Sequence, residues 1–137
     1  MKKKTIEEYI ELIHILEKKD GHAHTGTIAA EMEIKAPSVT QMLQKLEKEG
    51  LVRYQSYIGA TLTKKGKKMA RQLIEKHRVI QEFLELIGID EGMAEQDACQ
   101  IEHHVSTGSV RQLEKFVEFL QQEPEFLDKF RAGRDRE

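Results

Sequence analysis

The sequence contains one cysteine and two prolines in 137 residues, and both scarcities limit the kind of protein it can be. A single cysteine cannot form an internal disulfide framework, and it suits a protein of the reducing cytoplasm. Two prolines and nine glycines leave little room for long irregular loops. No apolar run approaches the length of a membrane span, and the Met-Lys-Lys-Lys start lacks the apolar stretch of a signal peptide. We therefore expect a helix-rich cytoplasmic protein with no membrane partner.

Positive charge is concentrated in one part of the chain. Residues 35–71 contain nine lysines and arginines but only two glutamates, a local net charge of +7, whereas the remainder carries −9. A basic segment within an acidic protein indicates a single phosphate-facing surface more specifically than a uniformly basic chain does. The middle of the chain is therefore expected to contact nucleic acid.

The first half of the sequence has the pattern of a winged helix-turn-helix. Apolar residues at helical spacing, followed by two short runs typical of strands, predict three helices and a β-hairpin, the wing. These elements are expected at about 5–19, 25–33, 37–49, 51–54 and 60–63, with Thr5 as the N-cap of the first helix. Three helices and a wing in a basic segment favour DNA binding over a fold used only for protein contacts.

The third helix is the expected recognition helix. Pro37 suits its first turn, where the missing N–H is not needed, and Ser38 and Gln41 lie where side chains reach base edges. Lys45 is expected on the exposed face of the same helix. We expect six residues to bind operator DNA: Pro37, Ser38, Gln41, Lys45, Lys64 and Lys65.

The second half of the sequence predicts further helices and no strand. Thr63 is expected to cap a long linking helix, about 64–87, whose apolar residues step four and three residues apart and suit packing against a partner. Asp90 is the expected cap of the next helix, and a later helix is expected to begin at Ser109. We expect a division into two domains, at 1–71 and 72–137.

A pattern of metal ligands lies near residue 100. On a helix, Cys99, Glu102 and His103 would share one narrow face, which would place a thiol, a carboxylate and an imidazole side by side. These are soft, hard and borderline donors for a divalent transition metal. One helix seldom completes a coordination sphere, so other segments are expected to contribute. The candidates are Glu8, Glu11 and His77.

Each of these residues also has an ordinary structural explanation. Glu8 and Glu11 share a face turned away from the apolar stripe of their helix, where they can be solvated or can pair with a neighbouring lysine. His77 lies in the apolar seam of the long helix, and it is either a hydrogen-bonded core histidine or a ligand. The short Cys-x-x-Glu-His pattern is weak by itself.

Along nearly its whole length the sequence resembles the diphtheria toxin repressor family of metal-activated transcriptional regulators. It is similar above all to the short manganese transport regulator branch, which lacks the SH3-like C-terminal domain of the longer iron-dependent members. The matching segments are 6–11, 37–46, 62–68, His77 and 101–104. The resemblance implies a mainly α fold, in which a winged-helix DNA-binding domain precedes a helical domain for dimerisation and metal binding, and it implies a homodimer.

The resemblance also implies that the metal ligands come from both domains, and it shows two departures from the branch. The position of Glu8 is usually aspartate in the manganese branch and methionine in the iron branch. The position of Cys99 is usually glutamate in the manganese branch and cysteine in the iron branch. Iron-branch members also carry a glutamate four residues after the histidine, where this chain has Gln81. The ligand set is thus of mixed type, and either Fe²⁺ or Mn²⁺ is expected, with Zn²⁺ or Co²⁺ able to bind in vitro.

We therefore expect a repressor of metal-uptake genes, and not an enzyme, that binds operator DNA as a dimer when it is loaded with Fe²⁺ or Mn²⁺. The alternative regulator would respond to an organic ligand or to oxidation of Cys99, without metal, although no second cysteine is present to form a disulfide. The alternative from another class is a metallohydrolase. No second acid–base constellation, Gly-rich phosphate loop or nucleophile motif supports it.

Overall fold

The protein is described here by a computed structural model covering residues 3–134, with side chains for 4–133. Within that range the chain forms seven helices and one antiparallel hairpin, which confirms the predicted fold class. The elements are α1 (Lys3–Asp20), α2 (Thr25–Met32), α3 (Ala36–Lys48), β1 (Val52–Gln55), β2 (Gly59–Leu62), α4 (Lys64–Leu86), α5 (Glu91–Ile101), α6 (Thr107–Gln121) and α7 (Pro124–Arg134). No helix in the described range is both long enough and apolar enough to span a bilayer.

The chain divides into two compact units, and the boundary between them along the chain falls between Gln72 and Leu73, inside α4. The first unit packs α1, α2, α3, the hairpin and the start of α4 around one apolar core. Its helices contribute apolar residues spaced three or four apart, because that spacing keeps them on the buried face. The fully buried members include Ile10, Ile13, Ile28, Val39, Leu43 and Leu46.

The helix ends agree only partly with the sequence. Thr63 and Asp90 are confirmed as N-caps, because in each case the backbone N–H three residues later donates to the side-chain oxygen, at 3.1 Å. The predicted cap at Thr5 is wrong, because α1 already includes Lys3 and Lys4, and lysine is a good helix former that extends the helix past Thr5. Glu33 ends α2 in the left-handed conformation, with φ of 56°.

The wing is held to the rest of the first unit by backbone hydrogen bonds. Val52 pairs with Leu62 in the hairpin, and Ala60 exchanges two further backbone hydrogen bonds of 2.9 Å with Ala23, before α2. Gly59 has φ of 124°, and a Cβ there would lie 2.6 Å from the Ala23 carbonyl oxygen. Only glycine satisfies both conditions, which fixes where the second strand can start.

The start of α4 is hydrogen-bonded to the turn that follows α3. Three successive carbonyl groups, those of residues 49, 50 and 51, accept hydrogen bonds from Lys65 Nζ (3.1 Å), Thr63 Oγ1 (2.6 Å) and the Thr63 N–H (3.0 Å). A Cβ at Gly66 would lie only 2.2 Å from the Leu51 carbonyl oxygen. The close approach of α4 to this turn therefore depends on a glycine.

The second unit is entirely helical within the described residues. Its buried core is formed by Val79 and Ile80 from α4, Ala98 from α5 and Val110 from α6. The last of these helices begins at Thr107, two residues before the predicted start, because Ser106 is its N-cap and accepts the N–H of Ser109 at 3.1 Å.

Candidate metal centre

His77 lies among side chains of types that can bind metals, in the second unit. Its Nδ1 lies 2.8 Å from Glu102 Oε2 and 3.7 Å from Cys99 Sγ. Its Nε2 lies 3.0 Å from the side-chain amide oxygen of Gln81. The imidazole is largely buried, with 23% of the side chain exposed. One ring nitrogen thus faces two other predicted ligands, and the other faces an amide.

The prediction that Cys99, Glu102 and His103 lie on one helix is wrong in part. Helix α5 ends at Ile101, Glu102 is its C-cap, and His103 lies in the following turn. Glu102 still has helical backbone angles and donates its N–H to the Ala98 carbonyl at 2.9 Å. The turn therefore continues the helix far enough to keep Cys99 and Glu102 on the side of His77.

Cys99, Glu102 and His103 differ in how far they are exposed to solvent. Glu102 and His103 are only 1% and 7% exposed, and His103 Nε2 lies 3.5 Å from Glu102 Oε1. Cys99 is exposed. A buried carboxylate needs a compensating cation or hydrogen bonds, and Glu102 Oε2 lies within hydrogen-bonding distance of His77 Nδ1.

Lys76 forms a hydrogen bond next to the turn that contains Glu102 and His103. This lysine is buried, at 7% exposure, and its Nζ donates to the Val105 carbonyl at 2.9 Å. The contact joins α4 to a residue 29 positions later in the chain. The sequence pattern singled out neither Lys76 nor the contact of Gln81, although the i,i+4 spacing of His77 and Gln81 was a usable signal.

Glu8 and Glu11 belong to the first unit, on α1. Glu8 is exposed and lies 3.9 Å from Lys4 Nζ, which is the ion pair that the sequence allowed as an ordinary explanation. Glu11 is half-buried. Their spacing of three residues puts both carboxylates on one side of the helix.

The donors of the second unit fit a divalent transition metal. Two imidazoles, a carboxylate and a thiol combine nitrogen, oxygen and sulfur, which first-row transition ions accept. Mg²⁺ and Ca²⁺ instead favour oxygen ligands alone. The chemistry of the cluster therefore indicates a site for Mn²⁺, Fe²⁺ or a later metal, and not for an alkaline-earth ion.

The predicted DNA-contacting residues lie on the surface of the first unit. Along α3 the residues Val39, Leu43 and Leu46 are buried, as the helical spacing predicted. The polar residues predicted on the other face are exposed: Ser38, Gln41, Gln44, Lys45 and Lys48. Lys65 is exposed as well, although its ammonium group also donates to the Glu49 carbonyl. The exposed predicted contacts are Pro37, Ser38, Gln41, Lys45, Lys64 and Lys65.

Two protein-family models together match most of the chain. The model described as "Iron dependent repressor, N-terminal DNA binding domain" matches residues 1–60. The model described as "Iron dependent repressor, metal binding and dimerisation domain" matches residues 63–130.

Curated relatives match along nearly their whole length. The HTH-type transcriptional regulator MntR of Lysinibacillus sphaericus is 35% identical over 130 residues, which covers 95% of this chain and 94% of the relative. The regulator of the same name from Bacillus subtilis is 36% identical over 119 residues, which covers 87% of this chain and 84% of the relative.

Solved structures of regulators share the fold. The manganese regulator SloR superposes with a TM-score of 0.70 at 35% identity, covering 83% of this chain and 54% of that one. ScaR with bound Zn²⁺ gives a TM-score of 0.71 at 30% identity, covering 83% and 54%. The chain thus spans about half the length of these two solved regulators.

The winged helix, the helical second unit and these relatives define a metal-dependent transcriptional regulator, and not an enzyme. The metallohydrolase alternative is therefore wrong. More particularly, the chain belongs to the diphtheria toxin repressor family, in its manganese transport regulator branch.

Proposed function

We propose that this protein represses metal-uptake genes in the cytoplasm and binds operator DNA as a homodimer when it is loaded with Fe²⁺ or Mn²⁺. The observation that carries the proposal is the convergence of Cys99 and Glu102 on Nδ1 of His77, with His103 adjoining Glu102. Structural histidines are commonly hydrogen-bonded to one carboxylate. Here a thiol and a second imidazole join the same group, which favours a metal site over an ordinary buried pair.

The proposed ligands are the six residues of the sequence prediction. The second unit supplies four of them, and the resemblance to the family adds two carboxylates from α1. The set is Glu8, Glu11, His77, Cys99, Glu102 and His103. When bound, the ion supplies positive charge to a site that is otherwise rich in carboxylates.

The identity of the metal depends on Cys99. Related proteins are described as manganese regulators, and ScaR has been solved with Zn²⁺ and with Cd²⁺, so the comparisons support a divalent ion without choosing one. A thiolate favours softer, later metals than the glutamate usual at this position in the manganese branch. We therefore infer a response to Fe²⁺ at least as strong as the response to Mn²⁺.

The proposed DNA surface is the exposed side of α3 together with the start of α4. Gln41 is exposed one turn into α3, where a side chain reaches base edges in the major groove. Lys64 and Lys65 are exposed at the other end of this surface and suit phosphate contacts. The +7 charge of residues 35–71 supports the same assignment.

The proposed dimer surface lies on the second unit. An apolar cleft there is lined by side chains from α4 to α6, including Ile80, Phe83, Leu84, Ile101, Val110 and Leu113. Phe116 and Phe119 of α6 are also about half exposed, at 48% and 54%. Apolar surface of this extent is usually covered by a partner. We propose a second copy as that partner, both with and without metal.

The test uses operator duplexes selected from a random-sequence pool by the metal-loaded protein. Mn²⁺ or Fe²⁺ binding and operator affinity are measured without oxygen for the parent, His77→Ala and Glu102→Ala. Both variants are expected to lose metal-dependent DNA binding while sedimenting as dimers. Glu118→Ala is the control, because Glu118 is an exposed glutamate of the same unit and is expected to behave as the parent. Unchanged metal binding in both variants would contradict the proposed site.

A further inference from the structure

The two ring nitrogens of His77 have different surroundings. Nδ1 faces Glu102 Oε2 at 2.8 Å and Cys99 Sγ at 3.7 Å, whereas Nε2 faces the amide oxygen of Gln81 at 3.0 Å. Gln81 lies one helical turn after His77 on α4, and the hydrogen bond between them is partly buried. Rotating the ring by half a turn about its Cβ–Cγ bond would put carbon atoms where both nitrogens now lie. The two contacts therefore hold the ring in one orientation.

The contact with Gln81 also favours one ring nitrogen over the other for metal binding. A neutral imidazole carries one proton, and the nitrogen without it provides the lone pair for coordination. An amide oxygen accepts a hydrogen bond, so it favours a proton on Nε2. A hydrogen bond of 2.8 Å between Nδ1 and Glu102 Oε2 shares one proton, and a metal bound there would replace that proton, so that the Nδ1 lone pair would face the ion while the Nε2 proton faces Gln81. Hydrogen bonds from residues outside the coordination sphere commonly fix the tautomer and orientation of histidine ligands.

We propose that Gln81 is a positioning residue of the metal centre, which accepts the Nε2–H of His77 and thereby commits Nδ1 to the metal. The proposal rests on the proposed function, because it takes His77 to be a ligand. The iron-branch pattern has a glutamate at this position, and the amide keeps an acceptor oxygen there without adding a negative charge. Gln81 would thus support the site from outside the coordination sphere.

The test compares variants that remove or keep the acceptor. Gln81→Leu removes the acceptor oxygen and keeps a residue of similar size and helix propensity, whereas Gln81→Glu keeps an oxygen facing Nε2. Gln72→Leu is the matched control, because it makes the same change at an exposed position of α4. Co²⁺ affinity is measured by anaerobic absorption titration. We expect Gln81→Leu to bind about tenfold more weakly or worse, and the other two variants to bind at least as tightly as the parent.

A second measurement shows which nitrogen of the His77 ring binds the metal and which one carries the proton. In the parent loaded with ¹¹³Cd²⁺ and labelled with ¹⁵N, we expect cadmium coupling to Nδ1 of His77 and a proton retained on Nε2. In Gln81→Leu that proton should exchange with water faster. Thermal unfolding without metal shows whether loss of the Gln81 acceptor oxygen changes only the stability of the fold. The proposal requires Gln81→Leu to lose metal affinity by more than any loss of metal-free stability explains.

The outcomes separate this proposal from the function on which it rests. A parent that binds no metal, or binds it without coupling to His77, overturns both. Coupling at Nδ1 in the parent, combined with unchanged Co²⁺ affinity in Gln81→Leu, overturns only the role of Gln81. Coupling at Nε2 overturns the assigned tautomer. Equal loss of affinity in Gln81→Leu and Gln81→Glu also overturns the proposal, since the second variant keeps the acceptor.

Discussion

Gly66→Ala should destabilise the first unit, although the same change in a helix ordinarily stabilises it. Alanine gains roughly 0.5–1 kcal/mol over glycine inside a helix. At Gly66, however, the new Cβ would lie 2.2 Å from the Leu51 carbonyl oxygen and 3.1 Å from Leu62 Cδ2. The carbonyl is backbone, and it already accepts the Thr63 N–H at 3.0 Å, so it cannot move away freely.

The expected size of the effect follows from these opposing terms. Overpacking in a well-packed core commonly costs about 1–3 kcal/mol, and a clash with backbone belongs at the upper end of that range. After subtraction of the gain in helix propensity, Gly66→Ala should lower the free energy of unfolding by roughly 2 kcal/mol.

Urea unfolding at one fixed protein concentration measures this difference, with Gly26→Ala as the control. Gly26 lies in α2 of the same unit, and a Cβ there meets no described heavy atom within 4 Å. The control should be neutral or slightly stabilising. If Gly66→Ala were as stable as Gly26→Ala, the close packing of α4 against the turn at Leu51 would be refuted.

Four further substitutions probe DNA reading, metal choice and the pH dependence of stability. Gln41→Ala should weaken binding to the selected operator by about 1–3 kcal/mol and leave binding to random DNA almost unaffected. Lys64→Ala should weaken binding to both DNAs and flatten the salt dependence. Equal losses on both DNAs for Gln41→Ala would exclude base reading by this residue. Cys99→Glu should shift the response toward Mn²⁺ in anaerobic operator binding, and an unchanged metal preference would remove only the role given to the thiol. Burial and the neighbouring Lys18 lower the pKa of His14 below 6.5, so the unfolded chain takes up this proton first. The free energy of unfolding should therefore fall as the pH drops through about 6.5 toward the pKa of His14 in the folded protein. His14→Gln should reduce that loss when unfolding is measured between about pH 7.5 and 5.5. An identical pH dependence in parent and variant would contradict the lowered pKa of His14.

The parts of the fold that follow from local periodicity were predictable. The buried and exposed positions of α3 agree with the helical spacing, because each side of that helix meets either the core or the surface. The strands of the wing were predicted to within one residue of their positions at 52–55 and 59–62. Helix starts were less regular, as Thr5 shows, because good helix formers before a candidate cap can extend the helix.

The centre was predictable in its residue types but not in its supporting contacts. His77 and Glu102 were both named from the sequence, and the structure brings them together across 25 residues. The bond from Lys76 to Val105 was not predictable, because a lysine at that position gives no sign that its ammonium group is buried. Nor does a helical pattern specify that α5 ends at Ile101 and leaves Glu102 at its cap. The roles of the six proposed ligands stay predictions.

The most direct test of metal control is the operator affinity of the parent protein in Mn²⁺, in Fe²⁺ and in excess chelator, measured without oxygen on the same duplex. A metal-dependent repressor should bind at least about tenfold more tightly with either ion than with chelator, with Fe²⁺ no weaker than Mn²⁺. Binding that is equally tight in excess chelator would contradict metal control of DNA binding.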